Sequence, residues 1–285
     1  MNSTLICQPC LGRNAVDVAR RASSDKEIQR KIVSEAFMLL AESALDMPPP
    51  YYAGKIFEIA EKYCNIAELY AEEKSRANML AEKLVQTLRS VSAFDPADFE
   101  SRLRLAAAGN ILDFGIFNDL DMEKALQTVY DSFSRPIDLA AVEKLKNRID
   151  SARNILYILD NCGEAVFDRV FMEPFKDKVT LGVRGREVFN DVAAADLAEC
   201  GLENFCRKVV SSGSVIPGTL IELCSSEFQE AFYSADLVIA KGQGNFETLN
   251  ETAVPAAFIF LAKCPAVTEL LNAELKSVQI HTVNF

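Results

Sequence analysis

The sequence predicts an α/β protein: a three-layer α/β/α domain with a mostly parallel sheet, preceded by an all-helical N-terminal subdomain. The first half of the chain carries apolar residues at helical spacing, and the second half carries short apolar runs bounded by Gly, Asn and Asp. A chain of 285 residues is long enough to bury a sizeable core. We place the helical subdomain at residues 1–150 and the α/β domain at residues 151–285.

The helical pattern extends from about Asp25 to Asn147. Its clearest segment, Ala71–Leu88, is rich in the strong helix formers Ala, Glu, Lys and Leu. The prolines of Met47–Pro50 interrupt the pattern, and a new helix is expected at Asp95, with Pro96 in its first position. We therefore expect several helices with short connections.

After residue 151, apolar runs alternate with segments of helical pattern, which is typical of a parallel sheet covered by helices. The predicted strands are Ile155–Leu159, Val179–Val183, Lys208–Val210, Leu237–Ala240 and Ala257–Leu261. The predicted helices between and after them are Ala165–Phe175, Ala193–Cys200, Ser226–Ser234 and Phe246–Glu251.

Charge and composition exclude several classes of partner. The formal net charge is -11, from 41 acidic and 30 basic residues, which argues against nucleic acid. An acidic surface also repels phosphorylated metabolites, so a phosphate site would need a local cation. We find neither a leader-like N-terminus nor an apolar stretch of membrane-spanning length, and we expect a cytoplasmic protein without membrane association.

The eight cysteines are expected to be reduced thiols. Cys7 and Cys10 have the spacing of a metal or redox pair, but no second pair completes a zinc site. A structural role for the pair is the alternative. Because His281 is the only histidine, Ser/His and Cys/His nucleophilic schemes are disfavoured.

Polar residues follow the ends of two predicted strands. Asp160 and Asn161 come directly after Ile155–Leu159, where ligands of open α/β sheets bind. Asp191 lies beyond Val179–Val183. Their hard oxygen donors suit Mg²⁺ or Mn²⁺. The alternatives are that Asp160 caps the next helix and that Asp191 belongs to an ordinary turn.

A strand, a glycine-rich loop and a helix start follow one another around Lys241. Gly242 and Gly244 would let backbone N–H groups approach an anion, and Lys241 would add a positive charge. The loop matches neither the Walker sequence nor the dinucleotide fingerprint. A structural turn is the alternative.

Further polar candidates lie in both halves of the chain. Ser212 follows a predicted strand, and its hydroxyl would reach the same cleft unless it belongs to an ordinary turn. Asn110 and Asp113 interrupt an apolar helical stretch. Because buried polar groups need partners, these two residues either lock the subdomains together or face the cleft.

Taken together, these segments resemble the DUF89 family of damage-control phosphatases, whose fold is called ARMT1-like, and specifically its stand-alone microbial branch with an N-terminal Cys-x-x-Cys. The resemblance covers nearly the whole chain. It is carried by Cys7-x-x-Cys10, Lys74-Ser-Arg-Ala-Asn78, Gly109-Asn110-x-x-Asp113-Phe-Gly115, Asp160-Asn161-x-Gly163-Glu164-x-x-x-Asp168, Asn190-Asp191 and Lys241-Gly242-x-Gly244-Asn245-Phe246-Glu247. The chain departs from a common family form by having Glu68-Leu69-Tyr70 where Asp-Pro-Tyr often stands.

The resemblance implies a phosphatase that depends on a divalent cation, Mg²⁺, Mn²⁺, Co²⁺ or Ni²⁺, and acts on sugar phosphates, nucleotides or damaged phosphometabolites. It places the metal ligands at Asp160, Asn161 and Asp191 and the phosphate-contacting lysine at Lys241. Further candidates for contacting substrate are Gly242, Asn245, Glu164, Asn110 and Ser212. Whether Asp160 also acts as a nucleophile stays open.

Two other functions remain as alternatives. One is a non-catalytic metal- or nucleotide-binding module that uses Cys7 and Cys10 for zinc or redox chemistry. The other is a methyltransferase or dinucleotide enzyme on a related sheet, against which the missing glycine fingerprint counts. Turnover of a phosphate ester would separate the first alternative from the phosphatase, and binding of S-adenosylmethionine or NAD would favour the second.

Overall fold

The computed structural model describes residues 1–66, 69–90, 94–111 and 122–285. Seven helices precede the first strand of this part of the chain: α1 Cys7–Ala22, α2 Lys26–Glu42, α3 Pro49–Glu61, α4 Ala71–Arg89, α5 Phe99–Ile111, α6 Met122–Phe133 and α7 Leu139–Ser151. The remaining elements are β1 Ile155–Ile158, α8 Glu164–Met172, β2 Val179–Val183, β3 Lys208–Ser211, α9 Ser226–Tyr233, β4 Leu237–Lys241, α10 Gln243–Leu249, β5 Ala256–Leu261, α11 Pro265–Leu271 and β6 Val278–Val283.

The six strands form one sheet in the order β3-β2-β1-β4-β5-β6. All neighbouring pairs are parallel except β5 and β6, which are antiparallel. The strands β1, β2, β4 and β5 are buried along their whole length, which explains their continuous apolar sequences. The predicted α/β class with a mostly parallel sheet is confirmed.

Helices cover both faces of the sheet. Tyr157 of β1 packs in one core with Leu145 of α7 and Phe171 of α8. On the opposite face, Ile158 packs in another core with Phe228 of α9 and, among others, residues of α10 and α11. The predicted three-layer arrangement is therefore present. Among the described residues, we find no helix that has both the length and the apolar character needed to cross a membrane.

The helical half is joined closely to the sheet. Helices α1, α2 and α3 form their own apolar core, whereas α5 contributes Leu103 and Ala106 to the core that contains β1 and β2. Gly109 of α5 approaches α8 so closely that an added Cβ would lie 2.9 Å from Glu164 Cγ. The core that contains β1 and β2 thus includes residues from both sides of residue 150. A domain boundary between residues 150 and 151 stays a prediction.

Several predicted element bounds were wrong. Ala193–Cys200 forms no α-helix but contains a 3₁₀ turn at Ala194–Asp196, because the Asp196 side chain accepts a hydrogen bond from Ala193 N at 2.8 Å. Helix α5 begins at Phe99 rather than Pro96, since the carboxylate of Asp95 holds a separate turn by accepting from Ala97 N.

Three elements were not predicted. Helix α1 precedes the expected start of the helical pattern, and α11 is only seven residues long. Strand β6 lies at the edge of the sheet, where Val278 and Ile280 are buried while the residues after each are partly exposed. A search for continuous apolar runs therefore misses this half-buried edge strand.

Candidate active site

The candidate site is the group of polar residues at the carboxyl ends of β1 and β4, and we call this region the crevice. The chain passes from β1 to β2 and β3 on one side of the sheet and returns to β4 on the other side of β1. Ligands of open α/β sheets bind where the strand order reverses in this way. Asp160 and Asn161 follow β1 at this edge, and Lys241 is the last residue of β4.

The structure brings the three predicted metal ligands together. Asn161 and Asp191 form an isolated antiparallel bridge. Val192 N donates to Asp160 O at 2.8 Å, and Asn161 Nδ2 donates to Asp160 Oδ2 at 2.6 Å. The segments after β1 and β2 therefore converge as expected, while metal binding by these residues stays a prediction.

The side chain of Asp160 does not cap helix α8. The N-cap of α8 is Gly163, which has a φ of 80° and gives the helix no side-chain cap. Asp160 Oδ2 instead accepts from Asn161 and from Asn110 Nδ2, the latter at 3.3 Å. The capping alternative is therefore set aside for Asp160, whose carboxylate faces the other polar groups of the crevice.

Four carboxylates and two cations are buried together at the crevice. They are Asp160, Glu164, Asp168, Asp191, Arg184 and Lys241. If all six are ionised, this cluster carries an excess of two negative charges. Buried charge that is not balanced is disfavoured, so this excess favours the binding of a further cation.

The environment of the two aspartates shows the same charge imbalance. Burial raises the pKa of Asp160 well above its ordinary value, and the charges of Asp191 and Glu164 raise it further. Burial also raises the pKa of Asp191, although Arg184 opposes that effect. A bound cation would favour the ionised form of both carboxyl groups.

A metal ion at this site would need ligands other than carboxylates. Within the described ranges, no three His, Cys, Asp or Glu side chains are grouped closely enough to hold a metal. A metal between Asp160 and Asp191 would therefore need a third donor of another type. The amide oxygen of Asn161 is of the hard type that Mg²⁺ and Mn²⁺ prefer.

The position of the Asp160 carboxylate requires a residue without a side chain at Gly242. Its φ is 79°, in the left-handed region that favours glycine, and an added Cβ would lie 1.9 Å from Asp160 Oδ2. Its backbone N–H donates to Ile259 O at 3.1 Å. Gly242 thus makes room for the carboxylate, and a backbone contact from this residue to phosphate stays a prediction.

Lys241 is fully buried, and its ammonium group has three partners inside the protein. Lys241 Nζ donates to Glu164 Oε1 at 2.6 Å, to Asp168 Oδ1 at 2.7 Å and to Ala106 O at 3.0 Å. Burial by itself lowers the pKa of Lys241, but the charges of Asp168 and Glu164 outweigh it and hold the pKa above its ordinary value. The predicted phosphate contact is untested and would require Lys241 to exchange one of these partners.

Asn110 combines the two roles considered for it. Its Nδ2 donates to Glu164 Oε2 at 3.0 Å as well as to Asp160, and its Oδ1 accepts from Leu261 N at 2.9 Å. The side chain therefore ties α5 to the sheet and also lies against the carboxylates. Asp113 lies outside the described residues.

Asn245 and Ser212 are both buried. Asn245 Nδ2 donates to Lys241 O at 2.7 Å, and its Oδ1 accepts from Thr219 Oγ1 at 2.8 Å. Ser212 follows β3, and its hydroxyl lies 3.4 Å from Ser214 O. Asn245 thus connects the end of β4 to the neighbouring loop, and direct substrate contacts from Asn245 and Ser212 stay predictions.

Arg184 was not among the predicted site residues. Its Nε donates to Asp191 Oδ2 at 2.6 Å, and its Nη1 donates to Gly218 O at 2.9 Å and to Thr219 Oγ1 and Asn245 Oδ1 at 3.2 Å each. The one sequence feature that could have suggested Arg184 is its position directly after the predicted strand Val179–Val183, and this feature does not indicate that the guanidinium group is buried.

Helix α4 supports both segments that carry the predicted ligands. Asn78 Oδ1 accepts from Gly163 N at 2.6 Å, in the turn that follows Asn161. Lys74 Nζ donates to Asp196 Oδ2 at 2.8 Å, and this aspartate holds the segment after Asp191. Lys74 and Asn78 of the family motif therefore hold the two segments that carry the predicted metal ligands.

The eight cysteines are all free thiols. Cys7 is buried in the first turn of α1, where Thr4 N lies 3.5 Å from its sulfur, whereas Cys10 is exposed. Although Cys10 is exposed, partial desolvation of its thiol raises its pKa, and Cys7 and Glu247 add to this effect. Cys10 therefore lacks the lowered pKa of an activated nucleophile.

Comparison with known proteins agrees with the predicted fold and with the family that the sequence resembles. The chain is 34% identical over 273 residues to a damage-control phosphatase of Pyrococcus horikoshii, covering 93% of each chain. It is 25% identical to a damage-control phosphatase of Archaeoglobus fulgidus, covering 94% of each chain. The crystal structure of a DUF89 family protein from Pyrococcus horikoshii superposes with a TM-score of 0.90 at 31% identity, covering 100% of both chains. Because the model of the damage-control phosphatase ARMT1-like domain matches residues 5–278, this chain belongs to that family.

Proposed function

We propose that this protein is a metal-dependent phosphatase that hydrolyses small phosphorylated metabolites, including sugar phosphates, nucleotides and damaged derivatives. The family membership and the two relatives named damage-control phosphatase support the phosphatase activity. The charge and donor types at the crevice support the requirement for a divalent cation, for which Mg²⁺, Mn²⁺, Co²⁺ and Ni²⁺ are the candidates.

The observation that carries the proposal is the excess of buried negative charge beside Asp160 and Asp191. Burial and mutual repulsion both oppose the ionised form of Asp160, so a cation would stabilise the crevice in its charged state. Asp160 and Asp191 would hold the cation through carboxylate oxygens, and Asn161 would hold it through its amide oxygen.

When bound, a divalent cation would polarise the phosphoryl group and offset the charge that develops during hydrolysis. The protein residues mainly position the reacting groups. Arg184 fixes Asp191 at 2.6 Å, Gly242 leaves space for Asp160, and Lys241 holds Glu164 at 2.6 Å. Such fixed geometry lowers the barrier because little reorganisation is needed during reaction.

The proposal is tested by stripping the purified protein of metal and adding back each of the four cations separately. Phosphate release would then be measured on a panel of sugar phosphates, nucleotides and chemically damaged phosphometabolites. We expect turnover of at least one ester with added metal and none after chelation. Metal or nucleotide binding without turnover on the whole panel would favour the non-catalytic binding module, and turnover that persists after chelation would exclude metal dependence.

A further inference from the structure

Arg184 is a buried cation, and among the described residues one side of its guanidinium group has no hydrogen-bond partner. The residue is 2% exposed. Its Nε and Nη1 hydrogens are used by Asp191 and by the loop that contains Gly218 and Thr219. In the described part of the chain, Nη2 has no hydrogen-bond partner. Buried N–H donors are normally paired, so this group requires an explanation.

The direction of Nη2 is set by the contacts on the other two sides. A guanidinium group is planar and rigid, so fixing Nε against Asp191 and Nη1 against Thr219 also fixes the third side. That side faces the crevice, where Asp160 Oδ1 lies 3.7 Å from Nη2. This distance allows electrostatic attraction but exceeds that of a hydrogen bond.

We propose that Arg184 binds the substrate by donating from Nη2 to a phosphoryl oxygen, an inference that rests on the proposed function. A phosphoryl oxygen in the crevice would supply the acceptor that Nη2 lacks, and charge-assisted bonds between arginine and phosphate are strong and directional. The same side chain would hold Asp191 and contact the substrate. Arg184 thereby couples the position of a predicted metal ligand to the position of the phosphoryl group.

The contrast with Lys241 favours Arg184 for this role. All three donors of the Lys241 ammonium group have acceptors within the protein, at 2.6, 2.7 and 3.0 Å. A phosphoryl oxygen would have to displace one of them, whereas Nη2 of Arg184 donates without losing a hydrogen bond. A positive charge of this kind also offsets the acidic groups that would repel a phosphate anion.

The test compares Arg184→Lys with Arg186→Gln as a matched control. Arg184→Lys keeps the positive charge but loses the planar set of guanidinium donors. Arg186 is exposed and pairs with Glu61 at the surface. Affinity for inorganic phosphate would be measured by calorimetry with and without Mg²⁺, and affinity for Mn²⁺ by electron paramagnetic resonance. We expect Arg184→Lys to weaken phosphate binding by roughly tenfold or more and to weaken Mn²⁺ affinity less, through the altered contact with Asp191. Arg186→Gln should leave both affinities unchanged.

The opposite pattern would overturn the inference: loss of Mn²⁺ affinity with unchanged phosphate affinity would mean that Arg184 acts only as a clamp for Asp191. If Arg184→Lys does not fold, a crystal structure of the wild-type protein with Mg²⁺ and inorganic phosphate decides the question. A phosphate oxygen within hydrogen-bond distance of Nη2 supports the inference, and a bound phosphate that leaves Nη2 without contact refutes it. These measurements need no turnover. If phosphate binding depends on Arg184 but the protein hydrolyses no ester, the proposed function is refuted and the inference about Arg184 stands.

Discussion

Two charged networks share the crevice, and they differ in whether their cation keeps an unused hydrogen-bond donor. In the Lys241 network, formed by Lys241, Glu164 and Asp168, each ammonium hydrogen has an acceptor, while the Oδ2 atom of Asp168 has no hydrogen-bond partner among the described residues. In the Asp160 network, formed by Asp160, Asn161, Asp191 and Arg184, one guanidinium nitrogen has no hydrogen-bond partner in the described part of the chain. Burial and neighbouring carboxylates raise the pKa of both aspartates. A network whose cation uses all its donors suits a structural support, and a network whose cation keeps an unused donor suits a ligand site.

Asn110 joins the two networks, since its amide nitrogen donates to Glu164 Oε2 at 3.0 Å and to Asp160 Oδ2 at 3.3 Å. The groups that support the crevice and the groups that would react are therefore in direct contact. Substitutions in the two networks should nevertheless have different signatures. Changes in the Asp160 network should affect activity more than stability, and changes in the Lys241 network should affect stability strongly.

The largest effect on activity is expected for Asp160→Asn. This isosteric change removes a ligand charge, and we expect turnover to fall by roughly 10³-fold, comparable to the loss of a preorganised charge-stabilising group. The melting temperature of the metal-free protein should not fall, because the change removes a buried charge that Asp191 and Glu164 repel. Steady-state kinetics and thermal unfolding would be compared with Asp177→Asn, which alters an exposed aspartate. Near-normal turnover would remove Asp160 from the site.

The largest effect on stability is expected for Lys241→Met. Glu164 and Asp168 would remain buried without their cation, which typically costs about 3–5 kcal/mol. Denaturant unfolding would measure this loss in the free energy of unfolding. Adding Asp168→Asn to Lys241→Met should restore part of the lost free energy of unfolding, because one of the two unpaired buried charges is removed. An unchanged free energy of unfolding for Lys241→Met would show that the network gives no structural support.

Lys241→Ala provides a separate test of the predicted phosphate contact. If Lys241 touches the phosphoryl group, turnover should fall by roughly 10²-fold with little change in metal affinity. Kinetics with metal titration on the folded fraction would measure both quantities. A loss of turnover that matches the loss of folded protein would indicate that Lys241 acts only through the support it gives to Glu164 and Asp168.

Gly242→Ala tests how closely the position of Asp160 is fixed. The added methyl group would overlap Asp160 Oδ2 and displace the carboxylate, so turnover should fall about 10²-fold. The control is Gly213→Ala, since Gly213 has a similar φ of 70° but an added Cβ would lie 3.4 Å from its nearest neighbour. Both variants should lose about 1–2 kcal/mol of stability from the left-handed backbone. Equal turnover in the two would mean that Asp160 tolerates displacement.

The sequence predicted the sheet and the convergence of its polar loops because both depend on local signals. Continuous apolar runs mark the central strands, and the carboxyl ends of parallel strands meet at one edge of the sheet. The partners of Lys241 were not predictable in the same way. Its contact with Ala106 O spans 135 residues and depends on how α5 packs on the sheet.

The role of Arg184 also depends on long-range contacts, because its partner Asn245 lies 61 residues away. Nothing near Arg184 in the sequence indicates that its guanidinium group is buried. The short 3₁₀ turn at Ala194–Asp196 was mistaken for a helix for a related reason. Its shape is set by Asp196, which binds Lys74 of a distant helix at 2.8 Å.

Glu247 allows a test of pH dependence outside both networks. Burial raises its pKa to about 7, although the hydrogen bond from Gln243 and the charged N-terminus oppose the effect. The folded state therefore holds this proton more tightly than the unfolded state. Its contribution to stability is complete below the ordinary pKa of 4.5 and is lost as the pH rises through 7.

Glu247→Gln should remove this pH dependence. We compare the free energy of unfolding of the wild type with that of the variant. The difference, wild type minus variant, should decrease by on the order of 3 kcal/mol between pH 4.5 and pH 8. Denaturant unfolding at several pH values would measure the difference. Parallel profiles for the two proteins would show that the pKa of Glu247 is the same in the folded and unfolded states.

The smallest effect is expected for the double variant Cys7→Ser, Cys10→Ser. Phosphoryl transfer beside a hard cation needs no thiol, and Cys10 has a raised rather than a lowered pKa because of partial desolvation. Turnover should therefore stay close to that of the wild type, with a small loss of stability from placing a hydroxyl at the buried position of Cys7. The measurement is steady-state kinetics under reducing conditions with saturating metal. A loss as large as that of Asp160→Asn would make the cysteine pair part of the reaction, and activity could then no longer be assigned to the Asp160 network alone.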